Sequence, residues 1–242
     1  SKVNLLEKKP FAYMVSAFMA GCFIGFGVML MATAGAYGAG SPFVKIVQGM
    51  VFSVALSLVV MAGAELFTGN NMVVFAGVLD KKVSWAKLIK LWLICLILNW
   101  IGSIFISFIF VGTGLADADV GVFLANASAT KMALPFGALV CRGILCNFLV
   151  CLAVWCGFRT KNDAAKLIMI FWCITTFVSC GFEHSIANMT ILTVGLLKAS
   201  SLGVAGVTIA GYFYNILTVV LGNLLAGVLL MAVPYYIVSK ED

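Results

Sequence analysis

Apolar runs recur along this chain, each close to or beyond the roughly 20 residues that an α-helix needs to cross hydrocarbon. They cover residues 11–36, 44–64, 85–112, 132–158, 165–198 and 204–238. Backbone polar groups in lipid must be satisfied within the segment, so runs of this length predict helices. The expected fold class is an all-α membrane protein of six transmembrane helices in one domain, residues 1–242. Only 10% of the residues are charged against 63% hydrophobic, a balance that excludes an ordinary soluble domain. The formal charge of +6 does not point to nucleic acid, because the basic residues lie in short clusters between the apolar runs. Six crossings put the clusters at Lys2–Lys9, Lys81–Lys90, Arg159–Lys166 and Lys240 on one face, against Lys45, Lys131 and Lys198 on the other. By the positive-inside rule the first face is cytoplasmic, with both termini on it, in the cell membrane. The run after SKVNLLEKKP is too long for a signal-peptide core and lacks a clear cleavage site, so it is expected to remain as an anchor.

Two of the runs are interrupted by polar residues. The second meets AELFTGN at 64–70, with Glu65, Thr68 and Asn70, before a short apolar piece at 72–79. The fifth meets FEHSIAN at 182–188, with Glu183, His184, Ser185 and Asn188. An ionisable group in mid-membrane costs about 3 kcal/mol on insertion scales and as a rule faces a cavity or a partner. With three spans per half, the halves insert in opposite directions, as two inverted repeats at about 11–113 and 131–238 whose middle helices are broken. Paired interruptions of this kind point to a midplane site. Each break is expected to offer unpaired N–H groups and a positive dipole end, which favour an anion. Residues 113–130 read as a polar connection containing Asp117 and Asp119.

AELFTGN at 64–70, CRGILCNFLVCLAVW at 141–155 and GFEHSIANM at 181–189 together resemble the formate/nitrite transporter family of bacterial pentameric anion channels with an aquaporin-like fold. The resemblance implies a homopentamer with a pore through each protomer. It puts Thr68 and His184 at the central permeation site, with Asn147 and Asn188 nearby and Glu183 as the acidic partner of the histidine. It makes Phe52 and Phe177 the outer constriction, Leu56, Leu66 and Val150 the inner one, and Lys131 the lysine of the outer vestibule. GNN at 69–71 and CRGILCN look most like the hydrosulfide branch, so hydrosulfide leads as the implied substrate, with formate and nitrite behind it. The partners implied are small inorganic or organic anions and the lipid bilayer. A dry hydrophobic ring excludes hydrated ions, so an anion must lose water or be neutralised to pass, and His184 can donate a hydrogen bond or a proton midway. Lys131 would concentrate anions at the mouth by its field. Arg142, the single arginine inside a span, needs a carboxylate, a carbonyl or water; Glu65 and Glu183 are candidate partners. The formate branch carries an apolar residue at that place, which sets this chain apart from it.

Other classes fit less well. A proton-coupled secondary transporter of formate or nitrite would use the same histidine and is the main alternative. An intramembrane enzyme lacks its parts: Ser185 adjoins His184, and there is no second histidine for a triad or a metal cluster. The eight cysteines lie in apolar segments without CxxC spacing, so neither a metal, a cofactor nor a disulfide framework is expected. A water or glycerol pore would carry NPA motifs, which are absent.

Overall fold

The computed structural model describes residues 2–241 and is built of helices. A short helix α1 (Lys2–Lys8) leads into α2 (Pro10–Tyr37), the change of direction falling at Lys9 just before a proline that suits a helix start but cannot donate. There follow α3 (Val44–Met61), α4 (Phe67–Leu79) and α5 (Trp85–Gly112), the last begun by Ser84 accepting from Lys87 N–H. After a turn at Leu115–Asp117 come α6 (Asp119–Met132), α7 (Phe136–Arg159), α8 (Asp163–Ser179) and α9 (Ser185–Lys198). The chain ends in α10 (Ile209–Leu225), a π-helical stretch at Ala226–Ala232 and α11 (Val233–Glu241).

Five helical stretches are long and apolar enough to cross a membrane: Pro10–Tyr37, Val44–Met61, Trp85–Gly112, Phe136–Arg159 and Ile209–Lys240. The fifth expected run is divided into α8 and α9, each too short alone. The stretch 113–130, read as a polar connection, is instead mostly helix: α6 buries Val120, Leu124, Ala125, Ser128 and Met132. Ser128 donates to Ile191 C=O at 3.0 Å, and a side chain on Gly195 would strike Ser128, so α6 and α9 pack closely. The α2 and α5 backbones also touch, since a Cβ on Gly21 would lie 2.1 Å from Asn99 O. Lys87 pairs with Glu7 at 2.7 Å and Lys240 with Asp80 at 3.2 Å, which gathers α1, the Asp80 loop and α11 on one face.

Both interruptions take the same form. α3 closes with Ala64 N–H donating to Val59 C=O and Gly63 N–H to Val60 C=O, and Gly63 takes φ +71°. α8 closes with Phe182 donating to Phe177 and Gly181 to Val178, and Gly181 takes φ +76°. These are Schellman endings, which require the left-handed conformation that glycine adopts without penalty. The chain is then extended through Leu66 in one break and His184 in the other. Leu66 and His184 therefore occupy matching places, and Thr68 matches Ile186, not Ser185 as the two hydroxyls suggest.

A single buried asparagine holds each break. Asn99 Oδ1 accepts from Phe67 N–H at 2.9 Å, while its amide donates to Glu65 C=O at 3.0 Å and Ala17 C=O at 2.7 Å. Asn223 Oδ1 accepts from Ser185 N–H at 3.0 Å, and its amide donates to Glu183 C=O at 3.1 Å and Gly143 C=O at 2.8 Å. Replacing either by leucine would orphan three buried backbone groups, at about 1–3 kcal/mol each. Asn99→Leu and Asn223→Leu should each lower the unfolding temperature of the purified protein in detergent, whereas Asn126→Ala on the exposed side of α6 should not.

Candidate anion-conduction site

The second break delivers His184 to the middle of the protein. Its ring is 3% exposed and its Nε2 lies 3.2 Å from Thr68 Oγ1, which is fully buried at the start of α4. The other nitrogen, Nδ1, accepts the N–H of Ala187 at 3.1 Å and so caps α9. A backbone N–H donating to Nδ1 fixes the tautomer: the neutral ring carries its hydrogen on Nε2. His184 therefore presents a donor toward Thr68, and the Thr68 hydroxyl, accepting it, is free to turn its own hydrogen to a third group. A hydrogen on Nδ1 would oppose the Ala187 N–H and remove the cap. The site is built to lend a hydrogen bond, and of the two roles read from the sequence this is the one its geometry favours.

The breaks offer fewer bare N–H groups than the sequence suggested: among the described residues those of Thr68, Gly69 and Ile186 have no partner, and three others are taken. Phe67 N–H is taken by Asn99, Ser185 N–H by Asn223 and Ala187 N–H by His184 itself. In a medium without water the orphan donors of a helix start need partners inside the protein, and Asn99, Asn223 and His184 supply three of them.

Phe177 stacks on His184 with centroids 5.9 Å apart, and Phe52 meets Phe177 edge-on at 5.9 Å. These residues form the floor of a cavity of about 410 Å³ that also touches Lys45, Lys131 and Arg142. On the opposite side a cavity of about 260 Å³ is lined by Leu56, Leu66, Glu65 and Lys2. No residue lines both. Val150 and Thr68 line neither and are buried. Asn147 is fully buried; its amide donates to Thr68 C=O at 3.3 Å and Asn223 C=O at 2.6 Å, so it positions Thr68, while its own oxygen finds no protein partner.

Lys131 reaches both oxygens of Glu183 at 2.8 Å, and Asn188 donates to Glu183 at 2.6 Å and to Asn215 at 2.8 Å. Asn188 and Lys131 are thus spent on holding Glu183, and the field of Lys131 is largely cancelled. Glu183 does not touch His184; it anchors the residue before it. Glu65 holds the first break in the same way, accepting from Asn70 and from Lys2, each at 2.9 Å. Neither glutamate pairs with Arg142, contrary to the sequence suggestion: the arginine meets Glu183 only through its backbone carbonyl, at 3.2 Å. Asn99, Asn223 and the Ala187 cap were not singled out from the sequence, because a lone asparagine in an apolar run carries no local signal.

A family profile described as formate/nitrite transporter matches residues 1–237. The chain belongs to the formate/nitrite transporter family. The nitrite transporter NirC of Escherichia coli K12 is 38% identical over 245 aligned positions, covering 98% of this chain and 87% of its own. A probable formate transporter of Methanothermobacter thermautotrophicus is 37% identical, covering 96% of this chain and 91% of its own. Among solved structures, an "FNT family ion channel" superposes with TM-score 0.92 at 33% identity over 98% of this chain and 94% of its own. A "pentameric formate channel with formate bound" gives 0.85 at 27% over 97% and 99%. Members of this formate/nitrite transporter family are multi-pass membrane transporters and channels and not enzymes, so the serine–histidine reading of 184–185 is set aside.

The ion pair makes a direct prediction. Lys131→Met should cost about 3 kcal/mol, because it strands a buried carboxylate. The double variant Lys131→Met/Glu183→Gln should recover part of that loss in thermal unfolding, and additive losses would mean that the two groups are not coupled.

Proposed function

We propose that this protein is a channel through which small monovalent anions of weak acids cross the membrane past Thr68 and His184. One observation carries the reading. The only histidine, on the floor of the larger cavity, turns an Nε2–H donor toward the hydroxyl of Thr68, which lines neither cavity, and the two cavities share no residue. An anion there has lost its hydration, and the Thr68 hydroxyl, polarised by the His184 N–H it accepts, donates to it in part replacement, at a strength that water does not screen. Phe52 and Phe177 form the outer constriction and Leu56, Leu66 and Val150 the inner one. Asn147 acts through Thr68, and Asn188, Glu183 and Lys131 act by fixing the loop that carries His184. The solvent-side cavities collect ions, and the basic face with both termini is cytoplasmic in a cell membrane.

The architecture that fits this role is six crossings in two inverted repeats, with the breaks of α3/α4 and α8/α9 as the equivalent elements. The duplicated clamps of Asn99 on Glu65 and Asn223 on Glu183 support it, since the same bonds join corresponding helices in each half. A homopentamer, as in the solved relative, would cover the exposed apolar flank of α5 at Ile89, Leu93, Ile97 and Phe105 in part by neighbours and in part by lipid. Hydrosulfide, formate and nitrite all belong to the substrate class. Hydrosulfide rests on the resemblance of GNN and CRGILCN to that branch, while the relatives named above carry nitrite and formate in their names.

Flux into liposomes tests the reading. Hydrosulfide, formate and nitrite should each run down their own gradients without an imposed proton gradient, and chloride, the anion of a strong acid, should lag. His184→Phe and Thr68→Val should reduce flux by about 100-fold, the usual effect of deleting a preorganised donor. Flux that requires a proton gradient would replace the channel by a proton-coupled transporter, and unchanged flux in His184→Phe would remove the site.

A further inference from the structure

The larger cavity contains a cation that the protein does not neutralise. Three of its lining residues are basic, Lys45, Lys131 and Arg142, and its one acidic residue is Glu183. Glu183 is already committed, with both oxygens on Lys131 and one of them also on Asn188. Lys45 is exposed, and water solvates it. Arg142 is different: it is half-buried, and among the described residues no carboxylate or carbonyl oxygen accepts from its guanidinium. Its backbone is fixed, because its C=O accepts the Glu183 N–H at 3.2 Å, directly before the residue that enters the constriction. A guanidinium partly withdrawn from water and left without a counter-ion is unfavourable, and an anion in the cavity relieves that.

The geometry of the group decides which anion. A guanidinium presents parallel N–H donors in a planar fork that matches two oxygens on one atom, whereas a lysine offers a point charge. Formate and nitrite have two such oxygens. Hydrosulfide and chloride have a single heavy atom and meet one arm of the fork. We propose that Arg142 forms an outer docking site for planar oxyanions and gives formate and nitrite an advantage over hydrosulfide before any of them reaches Thr68 and His184. This rests on the reading of the protein as an anion channel and narrows its substrate class. The vestibule is wet enough to keep the docked ion weakly held, as conduction requires. Discrimination is therefore modest and shows in half-saturation, while the maximal rate is left to the constriction.

The experiment compares wild type, Arg142→Lys and Arg142→Met in liposomes, as flux against concentration of formate, nitrite and hydrosulfide. Arg142→Lys keeps the charge and removes the fork. It should raise the half-saturating formate and nitrite concentrations about fivefold, the loss of one charge-assisted hydrogen bond, and leave hydrosulfide unchanged. Arg142→Met should raise the oxyanion values further. Nitrate is planar but is the anion of a strong acid, so it should dock without passing: it should compete with formate in wild type and not in Arg142→Met. Oxyanion half-saturation in Arg142→Lys equal to that of wild type, or an equal rise for hydrosulfide, would overturn the docking site. Broadening of the formate proton resonance by the detergent-solubilised protein provides a readout independent of flux. Broadening that Arg142→Met abolishes supports the site even where no anion is conducted, and broadening that persists in Arg142→Met contradicts it. A wild type that conducts no weak-acid anion would instead overturn the channel reading.

Discussion

A helix interrupted inside hydrocarbon has backbone donors and acceptors that no water can reach, and each must find a partner before the interruption can be used for anything else. Here Asn99 and Asn223 provide several of those partners, each bridging three backbone groups from two neighbouring segments. The rest of the site depends on them. With Ser185 N–H and Glu183 C=O held by Asn223, the residue between them is locked in extended geometry, and that residue is His184. Its ring then lies across the gap from Thr68, whose own carbonyl Asn147 holds.

The two glutamates extend the same logic outward. Each follows a left-handed glycine, binds an asparagine five residues ahead and is neutralised by a lysine from a distant segment: Lys2 for Glu65 and Lys131 for Glu183. One device is used twice, yet the residues at its matching extended positions are unlike, Leu66 in one break and His184 in the other. The matching place is apolar in one break, and in the other it carries the ring that meets Thr68.

Five of the expected spans and the existence of both breaks were legible in the sequence, because runs of apolar residues and their polar interruptions are local signals. The start and end of the third run, 85–112, coincide with α5. Helix α6 was not legible, since its small and polar residues give residues 113–130 the composition of a loop, and only its packing against α9 makes helix the stable state. The register between the two breaks was not legible for a related reason. Matching hydroxyls suggest a register, but the Schellman glycines set it one residue away. The pairing of Lys131 with Glu183 and, among the described residues, the lack of a partner for Arg142 are properties of distant segments brought together, and no window of sequence contains them. The roles of Thr68 and His184 came from resemblance to a family; that the ring should carry its hydrogen on Nε2 came only from the geometry around Ala187.

That tautomer is the central physical claim, and the composition of the chain makes it directly measurable. His184 is the only histidine, so isotopically labelled histidine places one labelled ring in the whole protein. Solid-state nitrogen NMR of the protein in liposomes at about pH 8, above the range where a free imidazole is charged, reads the two nitrogens separately. The geometry requires Nδ1 without hydrogen, shifted by the Ala187 bond, and Nε2 with hydrogen. A spectrum with the hydrogen on Nδ1 would mean that His184 neither caps α9 nor presents a donor toward Thr68, and the account of how an anion is held at the constriction would fall with it.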